Sequence, residues 1–139
     1  MSKFNLGSSI VLKIDGINTS QINYPNVGQL MEIENRKMSL TDGKYVEYVA
    51  SPMKTRSMRF LIDLVDTLSH FSVLVPDLTK KLSVDTYLDI DPITAKSLVE
   101  VYQEQFIPWY SELLKVMYNI VEEDQQDRAE ESQKTGSEE

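Results

Sequence analysis

The chain has 139 residues, 41% of them hydrophobic, which is enough for one domain with a core of its own. It has no cysteine, which excludes disulfides, thiol nucleophiles and thiolate metal sites; a single histidine, His70, excludes zinc sites built on two imidazoles. With 14 basic and 22 acidic residues the net charge is −8, the wrong sign for a phosphate-backbone binder, so no nucleic-acid partner is expected. No run reaches the roughly 20 apolar residues of a spanning helix, and the first residues lack a signal-peptide pattern. The expectation is a cytoplasmic chain with no membrane partner.

Strands come first. Ser9 to Ile17 is β-branched and apolar and closes on Asp15-Gly16, a two-residue hairpin signal. The return strand runs from Asn18 to Tyr24, placing Ile22 and Tyr24 on one face, and Pro25 ends it. Val27, Leu30, Met31 and Glu34 then fall at helical spacing and predict a short helix over 26–37. Thr41 to Lys44 is a turn. Tyr45-Val-Glu-Tyr-Val49 is short, aromatic and β-branched, and reads as a strand over 44–50 or as the lead into a helix. Ser51-Pro52 carries a cap and a first-turn proline, which predicts a helix over 52–72. Its apolar face would comprise Met53, Phe60, Leu61, Leu64, Val65, Leu68 and Phe71.

Pro76 breaks that helix and opens a short one through Leu82. Asp91-Pro92 repeats the cap-plus-proline signal and launches the longest element, 92–121, which Pro108 should kink or divide at 105–107. The last 18 residues hold eight acids and two bases, net −6, with Ala129 as their lone apolar residue. They read as an acidic flexible tail, 122–139, following a single globular domain, 1–121. The fold class is α+β and mainly helical: an N-terminal hairpin or small sheet, then a helical bundle.

Candidate chemistry is thin. Asp85, Asp89 and Asp91 lack the glycine and distal glutamate of a calcium loop. Asp63 and Asp66, three apart on a helix flank, need no role beyond solvation. His70 sits near an apolar face and reads as a part-buried, hydrogen-bonded residue; Ser69 beside it cannot face it on a helix. Glycines are isolated, which excludes a phosphate loop. No catalytic residue, metal or cofactor is assigned, and a non-enzymatic binding role is expected.

Surface is what remains. The stretch from Phe60 to Pro76 is apolar beyond one stripe, and Phe106 to Tyr118 is rich in residues of interface hot spots. Trp109, Tyr110, Leu113 and Met117 at helical spacing would form an apolar partner site. Lys54, Arg56 and Arg59, placed where the helix dipole disfavours cations, would supply a basic rim.

The run Leu40-Thr-Asp-Gly-Lys-Tyr-Val-Glu-Tyr48, the later Leu74-Val-Pro-Asp-Leu78 and Tyr102-x3-Phe106-x-Pro-Trp109 resemble the small tail assembly chaperones of tailed bacteriophages. The resemblance spans roughly residues 8 to 121, and the family likewise carries a polar or acidic tail. It implies an assembly factor in the host cell cytoplasm that binds the tape measure protein and helps tail tube subunits gather round it. A homo-oligomer is compatible with that role. The β-rich first quarter departs from a wholly helical layout. That departure leaves open the alternative of a structural tail or baseplate component retained in the virion.

Overall fold

The computed structural model describes residues 9–14, 17–18, 21–82 and 87–118. The Asp15-Gly16 turn, Asp85, the final residues of the 92–121 helix and the acidic tail from Glu122 lie outside them.

The hairpin is built from two short antiparallel ladders. β1 (Ser9–Ile10) pairs with β4 (Ile22–Asn23), Ile10 opposite Ile22, and β2 (Lys13–Ile14) pairs with β3 (Ile17–Asn18), Ile14 opposite Ile17. Leu12, Ile14 and Ile22 turn inward and join the core, Tyr24 packs against it, and Val11 faces solvent.

α1 (Val27–Leu40) begins where Asn26 Oδ1 accepts from the Gln29 N–H at 2.8 Å while the Gln29 side chain accepts from the Asn26 N–H at 3.0 Å. This reciprocal capping box satisfies two orphan donors. The helix runs three residues past the predicted end and stops in a Schellman closure: Gly43 N–H donates to Met38 O at 2.8 Å, with Asp42 and Gly43 both at positive φ.

Residues 44–50 form no strand but a helix, α2 (Tyr45–Ala50). The turn brings this segment against α3, while the four described strands pair with one another. A lone strand would leave its backbone groups unpaired, whereas the helix closes Tyr48 N–H onto Lys44 O at 3.0 Å. Ser51-Pro52 ends α2 instead of starting the next helix. That one, α3 (Arg56–Leu74), is capped by Thr55, whose hydroxyl accepts from Met58 N–H at 3.1 Å. Lys54 and Met53 therefore lie ahead of the helix, and Met53 is exposed rather than on its apolar face.

α3 is the central element, packed against α1, α2, α4 (Asp77–Lys81) and α5 (Pro92–Val101). From Thr67 to Phe71 it is buried all round. Its hydroxyls survive there by bonding back: Thr67 Oγ1 donates to Asp63 O and Ser69 Oγ to Val65 O, each at 2.7 Å. After a 3-10 turn at Tyr87–Asp89, Asp91 caps α5 by accepting from Ile93 and Thr94, as its sequence signal predicts.

Pro108 leaves no gap in the long C-terminal element, but the run is divided just ahead of it into two α segments. Between them the helix widens: Tyr102–Phe106 is a π turn, with Ile107 N–H reaching back to Tyr102 O, and α6 (107–118) continues the helix. The π turn ends just before the proline. Buried residues recur here at 98, 102, 106, 110 and 113. Four-residue steps drift by about 40° each on a straight α-helix. The extra residue of the wider turn absorbs that drift and keeps the row facing α3 and the hairpin.

Candidate functional site

The row just described is aromatic. Phe106 stacks on Tyr102 (centroids 5.2 Å) and on Tyr110 (4.9 Å), and meets Phe71 edge-on at 5.7 Å. His70 sits against the same rings, 5.2 to 5.5 Å from Tyr102, Phe106 and Tyr110. Its Nδ1 lies 2.7 Å from the Asp66 carbonyl, which can only accept, so Nδ1 carries the proton. The Tyr102 hydroxyl shares that proton at 3.3 Å. Burial pushes His70 down to about 4, so it is neutral at physiological pH.

Next to it lies a polar cluster on the α1, α2 and α3 walls. Tyr45 donates its hydroxyl to Asp66 Oδ1 at 2.5 Å. Lys37 stands 5.4 Å from the centre of the Tyr45 ring and pairs with Glu34 at 3.0 Å. Desolvation raises the Asp66 carboxyl above its ordinary range, against the lowering effect of the Tyr45 bond and the Lys37 charge. Burial and the Asp66 bond raise the Tyr45 hydroxyl. Asp66 is thus more than a solvated flank residue, which corrects the sequence reading. Asp63 also lies above its ordinary range through burial and the nearby Asp66.

Two hollows open around these groups. A groove of about 520 Å³ runs between α2, α3 and the 88–95 stretch, walled by Tyr48, Met58, Leu61, Val65, Leu88 and Ile90 among others. Asp42 is the one charged residue lining it among the described residues. A second cavity of about 350 Å³ lies between α1, α3 and α6 and holds the Glu34, Lys37, Asp66 and His70 groups.

The predicted partner site is not assembled as one face. Tyr110 and Leu113 are buried in the core, and burial holds the Tyr110 hydroxyl up at about 12. Trp109 is half-buried and stacked on Tyr24, while Met117 is exposed at the mouth of the smaller cavity. Arg56 and Arg59 are exposed, and Lys54 donates to Ser51 O at 2.6 Å; none of the trio lines either hollow. Helical spacing in the last element thus marked the core-facing row rather than a free surface. The groove was signalled by the other over-apolar stretch, where Leu61, Leu64 and Val65 exceed a single stripe.

Among the described residues no group of three or more His, Cys, Asp or Glu side chains is placed to hold a metal ion. No described helix is long and apolar enough to cross a membrane. Comparison with family models, with curated proteins and with solved structures finds no match to the chain.

Proposed function

We propose that this chain is a non-enzymatic assembly factor of the phage tail assembly chaperone kind. In this reading it shields an apolar helical segment of the tape measure protein in the host cytoplasm while tail tube subunits gather. The observation that carries the reading is the 520 Å³ groove, apolar apart from Asp42 and a few hydroxyls. Leu61 and Leu88 line it and are 49% and 77% exposed, large apolar side chains presented in good part to water. A groove that presents leucines to water is costly unless something covers it. A helix laid into it with apolar anchors is a recurring way of covering such a groove.

The experiment is co-expression with a tape measure protein. The wild-type chain is expected to raise the client's soluble fraction, and Leu61→Glu is expected to abolish that effect. Leu61 is half-exposed, so stability should change by no more than about 0.5 kcal/mol. An unchanged client solubility with the variant would remove the groove from the account. Recovery of the chain in purified virions, at a stoichiometry of a tail subunit, would favour a structural component instead.

A further inference from the structure

Tyr45 is the residue common to the linings of the two hollows. On one side of it lies the apolar groove and on the other the cavity with Glu34, Lys37 and Asp66. Without it the two would run together along α3 from Met58 to His70, about 18 Å at helical rise, some three turns of a docked helix.

The element that carries Tyr45 is weakly held. α2 has six residues, none of them buried, and its N-cap makes no side-chain hydrogen bond. A helix this short does not persist on its own. Asp42 and Gly43 precede it at φ +52° and +78° in the turn that closes α1, and extended Ser51 follows it, so α2 is bounded by non-helical backbone at both ends. The Tyr45–Asp66 hydrogen bond is its polar tie to α3. The joined trough would be lined by three carboxylates, of Glu34, Asp42 and Asp66, against the single ammonium of Lys37. Lys37 is already engaged with Glu34. Asp66 is left as a desolvated carboxyl whose direct partner is a neutral phenol.

We propose that α2 is a hinged flap, and that a cationic amphipathic helix of the partner displaces Tyr45, occupies the joined trough and sets a Lys or Arg against Asp66. The inference rests on the reading of the chain as a partner-binding factor and names the partner's chemistry. The need to open the flap lowers apparent affinity in proportion to the fraction of time it stands open. Loosening the latch therefore tightens binding, the opposite of what loss of a contact residue does.

The test has an arm in the free protein and an arm with peptides. In hydrogen exchange of the free chain, residues 45–50 are expected to exchange ahead of α3. Tyr45→Phe, which keeps the ring and removes the latch hydroxyl, should speed them about tenfold while α3 holds its rates. A synthetic amphipathic Leu/Lys helix should bind the wild type in preference to a Leu/Glu helix of the same spacing, and bind Tyr45→Phe more tightly still. Asp66→Asn keeps an acceptor for the Tyr45 hydroxyl but loses the charge, and should bind the Leu/Lys helix about tenfold more weakly. Exchange of residues 45–50 in step with α3 in both proteins would overturn the flap. So would binding of neither peptide, or equal binding of both. A mobile α2 in a chain that fails to solubilise the tape measure protein contradicts the functional reading alone. Client solubilisation with an immobile α2 contradicts the flap alone.

Discussion

The rings of Tyr24 and Trp109 lie parallel, 4.3 Å apart at 2°, and the Tyr24 hydroxyl donates to the Trp109 carbonyl at 2.9 Å. One residue ends the hairpin and the other opens α6, so this pair clasps the β element onto the helices. Trp109→Ala should therefore unfold the protein more readily, by about 3 kcal/mol in urea titration, the low end for removing a large aromatic. Tyr24→Phe keeps the stack and should cost about 1 kcal/mol. A Trp109→Ala protein of unchanged stability would return Trp109 to the role of a partner anchor.

Gln105 provides a second clasp. Its side-chain amide accepts from Lys13 N–H at 2.7 Å and donates to Lys13 O at 2.8 Å, standing in for a neighbouring strand on the edge of β2. Gln105→Ala should cost about 1 kcal/mol and speed amide exchange over residues 9–23 ahead of the helices. Equal protection of hairpin and helices in the variant would mean the edge is held by packing alone.

His70 gives the fold a pH dependence of defined sign. Its native pKa is lowered, to about 4, from an unfolded value near 6.5, so in that window the unfolded chain binds a proton that the native one refuses. The stability it contributes is complete above pH 6.5 and is lost as pH falls toward 4, by at most about 3 kcal/mol. Asp66 and Asp63 are raised, bind protons more readily when folded, and work in the opposite direction as pH falls. The comparison that isolates His70 is wild type against His70→Gln. The wild type's advantage in urea titrations should shrink from pH 7 to pH 4, and a constant difference would contradict a buried neutral imidazole.

The sequence was most readable where one residue type has one physical use. Asp91 before Pro92 caps α5, Ile22 and Tyr24 share a face, and the α+β, mainly helical class follows from strands segregated ahead of helices. It was least readable where tertiary contact decides. Tyr45 to Val49 has strand composition but packs as a helix against α3, and Thr55 outcompetes Ser51 as a cap because α2 uses Ser51 as its own end. Pro108 announces a disturbance but not its form. The π turn depends on keeping Tyr102, Phe106 and Tyr110 in one row against α3 and the hairpin. The same row misled the site reading, since periodicity marks a face without saying whether core or partner covers it. Tyr45 and Asp66, 21 residues apart, leave no local signal of their bond.

The most direct test of the account is to map amide and methyl chemical shifts as the tape measure protein, or a helical segment of it, is added to the labelled chain. The account predicts changes along Tyr45, Tyr48, Met58, Leu61 and Leu88, with the Tyr24–Trp109 clasp undisturbed. Changes confined to the hairpin and α6, or no saturable change at all, would contradict it.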